Sequence, residues 1–127
     1  MKLTDSLTGL QHIGIPCKDL AEAVAFYEGL GFTNIYQTPN GDETVAFMEF
    51  AGLVIELYGP KDAVGKSGAI DHIALDCKDI DAAFALCKEQ GYRIKEEVTP
   101  LPFWANGIKY FSILGPNEEV IEVCQKL

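Results

Sequence analysis

The chain has 127 residues, a size that suits one ordinary domain, 1–127. Hydrophobic residues make up 48% and charged residues 23%, which supports a buried core and excludes a disordered chain, and no apolar run is long enough to span a bilayer. The net charge of −9 repels phosphate backbones and so excludes nucleic acid as a partner. Residues 1–9 lack the apolar segment of a secretory signal, so we expect a cytoplasmic protein with no membrane partner.

An internal repeat is the most informative feature of the sequence. Leu10–Leu20 (LQHIGIPCKDL) and Ile70–Ile80 (IDHIALDCKDI) share His, Ile, Cys, Lys and Asp at an offset of 60 residues. Self-similarity of this kind predicts two copies of one supersecondary unit that stabilise each other. We place the repeat modules at 10–60 and 70–127, with a linker over 59–69.

Each copy predicts a strand followed by a capped helix. Asp19 and Asp79 precede the helical segments, and Asp is a preferred N-cap because its carboxylate accepts a hydrogen bond from an amide of the first turn. Gly31 and Gly91 follow the same segments, where glycine ends a helix in the left-handed conformation.

Short strands with turn signals follow each helix. Because such turns join antiparallel neighbours, both modules are predicted to be βαβββ, and together they give an α+β fold with a cupped eight-stranded mixed sheet. The predicted strands after the two helices are Thr33–Gln37, Glu43–Phe50, Leu53–Tyr58, Arg93–Val98, Ile108–Leu114 and Val120–Gln125.

Two histidines and two glutamates occupy matched places in the copies. In each first strand the histidine (His12, His72) alternates with the apolar residues, so it points away from the helix. Each module ends in an apolar strand with one carboxylate, Glu56 or Glu122, which is costly to bury without a cation or strong donors. Taken singly, each histidine also fits a hydrogen-bonded core position, and each glutamate also fits a solvated strand face. Taken together under the repeat, they favour a site for a divalent metal ion, Zn²⁺ or Ni²⁺ first, with Co²⁺, Mn²⁺ and Fe²⁺ as alternatives.

The quoted motifs resemble those of the vicinal oxygen chelate superfamily, whose reference enzyme is glyoxalase I. The resemblance rests on HIGIPCKDLAEAVAFYEGLGF, HIALDCKDI, LVIELYGP and GPNEEVIEVCQ, and it covers about Leu10 to Leu127. It implies paired βαβββ modules, a metal held by His12, Glu56, His72 and Glu122, and a homodimer.

The resemblance also implies a reaction. Glyoxalase I is a lyase that moves a proton next to a carbonyl through an enediolate stabilised by the metal, with Glu122 as the catalytic base and Glu56 as a second candidate. The implied substrate is a small molecule, a thiol adduct or a thioester. Pro16 stands where glyoxalase I commonly has a cation, and Gly59–Pro60 replaces an Asn. A methylmalonyl-CoA epimerase-like enzyme and a small-molecule binding or sequestering protein of the same fold therefore remain alternatives.

Overall fold

A computed structural model describes residues 2–5, 8, 10–60, 62–68 and 70–127. These residues form eight strands and two α-helices, which confirms the predicted α+β fold of two βαβββ modules. A 3₁₀ helix precedes them at Leu3–Asp5. The elements are β1 (Ile13–Pro16), α1 (Leu20–Leu30), β2 (Thr33–Asn40), β3 (Glu43–Phe50), β4 (Leu53–Tyr58), β5 (His72–Asp76), α2 (Ile80–Glu89), β6 (Arg93–Leu101), β7 (Ile108–Leu114) and β8 (Val120–Lys126).

The strands form two four-stranded sheets of the same topology, one in each half of the chain. The first sheet has the order β1-β4-β3-β2 and the second has the order β5-β8-β7-β6. In each sheet the first strand runs parallel to the last strand of its module, while the other neighbours are antiparallel. Each half is a compact unit, Met1–Ala63 and Val64–Leu127, and the division falls inside the segment predicted as a linker.

Both helices begin at the predicted aspartates, and α1 ends at the predicted Gly31. The C-cap of α2 is Gln90, one residue before the predicted glycine, with Gly91 next at a left-handed φ of 80°. The Asp19 side chain accepts a hydrogen bond from the backbone N–H of Glu22, and the Asp79 side chain accepts one from Ala82, both at 3.1 Å. Gly31 ends α1 with a left-handed φ of 106°, a value that costs glycine little. These local signals fix where each helix lies along its module.

Each helix packs on one face of its own sheet. Phe84 of α2 packs edge-on against the buried Phe111 of β7, with ring centroids 5.2 Å apart. Apolar side chains in alternate strand positions form the core of both halves, which leaves the other strand positions on the face away from the helix. The fully or nearly fully buried core residues include Ala23, Tyr27, Ala46, Met48, Ile55 and Leu57 in the first half and Ile80, Phe111, Ile113 and Ile121 in the second.

Two edge strands extend three residues beyond their predicted ends, and β8 extends one, to Lys126. The sequence places the end of β2 at Gln37 and the end of β6 at Val98, whereas the strands continue to Asn40 and Leu101. Both are edge strands and both contain a proline, Pro39 or Pro100. Proline lacks an N–H, which an edge strand tolerates because one side of its backbone has no partner.

In the described part of the chain, neither α-helix is long and apolar enough to cross a membrane.

Candidate metal centre

In the first half, the structure brings His12 and Glu56 together. His12 directly precedes β1, and Glu56 lies in the middle of the adjacent parallel strand β4. The Nε2 atom of His12 lies 3.5 Å from Oε1 of Glu56. Gly14 is the register partner of Glu56, and a methyl group added there would lie 3.8 Å from the same carboxylate oxygen. Gly14 therefore leaves the space beside the His12–Glu56 pair open.

The second half repeats this arrangement with His72 and Glu122. His72 is the first residue of β5, and Glu122 lies in the adjacent parallel strand β8. The distance from Nε2 of His72 to Oε1 of Glu122 is 3.8 Å. A small residue, Ala74, again lies opposite the glutamate. The chain thus presents two similar His–Glu pairs, each located where the first strand of a module begins beside its parallel neighbour.

The residue before each histidine contacts the other ring nitrogen. Nδ1 of His12 is hydrogen bonded to Oε1 of Gln11, and Nδ1 of His72 lies 3.1 Å from Oδ2 of Asp71. Since both partners are acceptors, they favour the tautomer with the proton on Nδ1, which leaves the Nε2 lone pair available to a metal. The prediction from sequence missed Gln11 and Asp71, although they too are 60 residues apart.

Neither glutamate forms an ion pair with a Lys or Arg side chain of the described residues. Their side chains are 26% and 23% exposed, and in the described residues each forms an ion-pair contact with its histidine and not with Lys or Arg. Partly buried carboxylates in this setting suit a bound cation. Within either half, the described residues bring together no group of three or more His, Cys, Asp or Glu side chains that would hold a metal. The union of the two pairs around one ion remains a prediction.

The surroundings of the first pair are aromatic. Phe47 of β3 is the register partner of Glu56, and its ring meets the His12 ring edge-on at 5.8 Å between centroids. Tyr36 of β2 lies beside Phe47, with 6.1 Å between the ring centroids. The first half therefore offers an apolar wall next to its His–Glu pair.

The surroundings of the second pair are polar. Ser112 of β7 is the register partner of Glu122 on one side and of Glu96 on the other. The hydroxyl of Ser112 donates to Oε1 of Glu96 at 3.1 Å, and that of Tyr110 donates to Oε2 at 2.9 Å. The hydrogen bond to Glu96 is the main cause that raises the pKa of Tyr110, and burial and then the negative charges of Glu96 and Glu122 add to it. Tyr110 thus remains a protonated donor. We call these three residues, Glu96, Tyr110 and Ser112, the hydroxyl–carboxylate cluster.

A cavity of about 550 Å³ lies elsewhere in the first half, between the start of α1 and the β2–β3 turn. Lys18, Val24 and Asp42 are among the residues that line it, and none of the four predicted ligands does so. The cavity therefore does not contain the His–Glu chemistry described above.

A sequence model of the Glyoxalase/Bleomycin resistance protein/Dioxygenase superfamily matches residues 9–123. The chain belongs to this superfamily. It is 34% identical over 125 residues to the uncharacterised protein YwbC of Bacillus subtilis strain 168, which covers 92% of this chain and 97% of YwbC. This membership confirms the resemblance drawn from the histidine motifs.

Solved structures share the superfamily fold. A glyoxalase family protein from Enterococcus faecalis superposes with a TM-score of 0.80 at 17% identity, over 94% of this chain and 98% of that one. The fosfomycin resistance protein FosX of Listeria monocytogenes, in complex with Mn(II) and sulfate, superposes with a TM-score of 0.71 at 20% identity, over 95% and 94% of the two chains.

Proposed function

We propose that this superfamily member is a metal-dependent enzyme that moves a proton between neighbouring carbons next to a carbonyl, as a glyoxalase I-like lyase or isomerase. The observation that carries the proposal is the repeated His–Glu pair. In each half an imidazole Nε2, at or just before the start of the first strand, and a carboxylate oxygen on the adjacent parallel strand lie 3.5 Å or 3.8 Å apart. A duplicated donor pair of this kind is the arrangement expected of a shared metal centre.

The donor set fits a divalent ion. Two neutral imidazoles and two carboxylates suit Zn²⁺ or Ni²⁺ first, and Co²⁺, Mn²⁺ or Fe²⁺ as alternatives. We propose that His12, Glu56, His72 and Glu122 together hold one ion, with the two pairs supplied by one chain or by the partners of a homodimer. The Mn(II) complex of FosX shows that the shared fold accommodates a metal in that protein. When bound, the ion would polarise a substrate carbonyl and lower the pKa of the adjacent C–H.

The chain's own residues would carry the proton. Glu122 is our candidate for the base that takes the proton from the carbon beside the carbonyl and delivers it to the neighbouring carbon. Glu56 is the second candidate. Ala74 opposite Glu122 leaves room for a substrate carbon to approach. Gln11 and Asp71 would keep the imidazoles oriented through Nδ1. The substrate would be a small molecule, a thiol adduct or a thioester.

The test is proton transfer by metal-loaded protein in deuterated water. Hemithioacetals of methylglyoxal with several thiols, and methylmalonyl-CoA, are supplied as substrates, and deuterium at the product carbon is measured by mass spectrometry. We expect turnover with one of them, and a decrease in kcat of at least about 100-fold in Glu122→Gln, since a general base contributes that much. Glu89→Gln, an exposed charge-matched change at the end of α2, should leave kcat unchanged.

Two results would contradict the proposal. Protein that holds stoichiometric metal and binds small carbonyl compounds without exchanging their protons would be a binding or sequestering protein of the same fold. Exchange that proceeds equally well in the Glu122→Gln and Glu56→Gln variants would remove both candidate bases. Activity on methylmalonyl-CoA alone would instead select the epimerase-like alternative, in which the proton is returned to the carbon that it left.

A further inference from the structure

We propose that the hydroxyl–carboxylate cluster selects substrates whose non-reacting end is neutral or positively charged and carries hydrogen-bond donors, and rejects those whose end is anionic. The proposal concerns the specificity of the site described above and rests on the proposed function. Glu96 is the specificity-determining residue, and Tyr110 and Ser112 hold its carboxylate in place.

The hydrogen bonds make the cluster an acceptor surface. Tyr110 and Ser112 each use their single hydroxyl proton on Glu96, one on each carboxylate oxygen. What these groups still offer to a ligand is oxygen lone pairs. Ser112 is only 1% exposed, so its bond to Glu96 is fixed within the sheet, whereas Glu96 itself is exposed and accessible to a ligand. A ligand that meets this surface therefore has to donate hydrogen bonds.

The cluster lies within reach of a substrate held at Glu122. Glu122, Ser112 and Glu96 are register partners on three neighbouring strands, β8, β7 and β6, and so they face the same side of the second sheet. Neighbouring strands are about 4.8 Å apart, which puts the backbones at Glu122 and Glu96 about 10 Å from each other. A substrate of a few carbons that reacts at Glu122 extends that far.

The carboxylate of Glu96 has no cationic partner among the described residues. In the described residues, no Lys or Arg forms an ion pair with Glu96. Arg93, the only arginine of the chain, donates instead to Glu118 and to the carbonyl of Gly115, at 3.0 Å and 2.6 Å. Lys126 places its Nζ over the Trp104 ring, 3.8 Å from the centroid.

A divalent ion would balance the charges of Glu56 and Glu122, and no ion pair among the described residues would balance the charge of Glu96. A carboxylate, sulfonate or phosphonate end would be repelled, whereas an ammonium or hydroxyl end would be attracted.

The experiment measures binding of three small hydroxamates that differ only in their far end. The ligands are 3-aminopropanohydroxamate, 3-hydroxypropanohydroxamate and the monohydroxamate of succinic acid, whose ends are cationic, neutral and anionic. Each is titrated calorimetrically into protein whose metal content has first been measured. We expect the cationic ligand to bind at least about tenfold more tightly than the anionic one, with the neutral ligand between them.

Variants assign the preference to Glu96. In Glu96→Gln the ratio of cationic to anionic affinity should fall below about threefold, while metal content and the affinity for the neutral ligand stay within about threefold of the parent. Glu89→Gln removes the same charge from α2 and should keep the parent ratio. Tyr110→Phe should weaken the preference in part, because the carboxylate loses one of the two donors that hold it.

The outcomes separate the two proposals. A metal-loaded parent with no preference, a preference for the anionic ligand, or a preference that persists in Glu96→Gln would overturn the role of Glu96 and leave the proposed chemistry standing. A parent that binds no metal would overturn both. Charge-selective binding without proton exchange would contradict the proposed reaction and retain the specificity.

Discussion

Enlarging the residue at position 14 tests whether the space beside His12 and Glu56 belongs to a metal centre. A methyl group at Gly14 would lie 3.4 Å from Cε1 of Tyr58 and 3.8 Å from Oε1 of Glu56, which are ordinary contact distances. Gly14→Ala should therefore keep metal affinity within about twofold, and it should raise the free energy of unfolding by up to about 1 kcal/mol because alanine loses less backbone entropy than glycine. The matched position in the second half is already alanine, Ala74.

Leucine at the same position should act differently. The next carbon lies about 1.5 Å beyond Cβ, so a branch directed at Glu56 would overlap the carboxylate and displace it. We expect Gly14→Leu to weaken metal binding at least about 100-fold, equivalent to about 2.7 kcal/mol. The free energy of unfolding should change by less than about 1 kcal/mol, because this face lies away from the helix-packed core.

The assay is competition for the metal with a chelating dye, accompanied by urea unfolding of the metal-free protein. Metal binding by Gly14→Leu as tight as in the parent would refute the idea that the Glu56 carboxylate is a ligand. A loss of metal affinity in Gly14→Ala as large as that in Gly14→Leu would refute it too.

Three further predictions concern the second half. Asp71→Ala should weaken metal binding about 10- to 100-fold without unfolding the protein, measured by the same competition, because His72 loses the acceptor at Nδ1; unchanged affinity would remove Asp71 from the site. Asp79→Ala should lower the free energy of unfolding by about 1 kcal/mol in urea titrations, because α2 loses its N-cap; a change below about 0.3 kcal/mol would contradict that role. Burial raises the pKa of the Cys87 thiol above 9.0, which means that the folded protein favours the neutral thiol. The stability that the neutral thiol contributes is complete below pH 9 and is lost as the pH rises through the pKa of Cys87 in the folded protein. Unfolding at pH 7.5 and 10 should show a smaller alkaline decrease in Cys87→Ala than in the parent, and equal decreases would be the contrary result.

Features set by neighbouring residues could be predicted from the sequence. Asp19 and Asp79 cap helices through amides three residues ahead, so their effect depends on nothing distant. The alternation of His12 and His72 with apolar neighbours is equally local, and the offset of 60 residues pairs them across the repeat.

Features set by the order of the strands and by their register could not be predicted. The sequence alone predicts a turn at Pro39. Only the sheet order shows that β2 is an edge strand, where a proline is tolerated. The internal repeat does not mark Glu96 as a site residue, because the residue 60 positions earlier is Tyr36 and not an acid. Its contacts with Tyr110 and Ser112 depend on a β6–β7 register that is interrupted by irregularities on both sides of Glu96.

Metal stoichiometry in single-histidine variants tests the central claim most directly. Purified parent protein, His12→Ala and His72→Ala are each dialysed against Zn²⁺ and Ni²⁺, and bound metal per chain is measured by mass spectrometry of the digested samples. If both pairs serve one ion, the parent binds one ion per chain and each substitution alone abolishes tight binding. Two ions per chain in the parent, or a variant that still holds one ion with the parent's affinity, would show that the His–Glu pairs act separately.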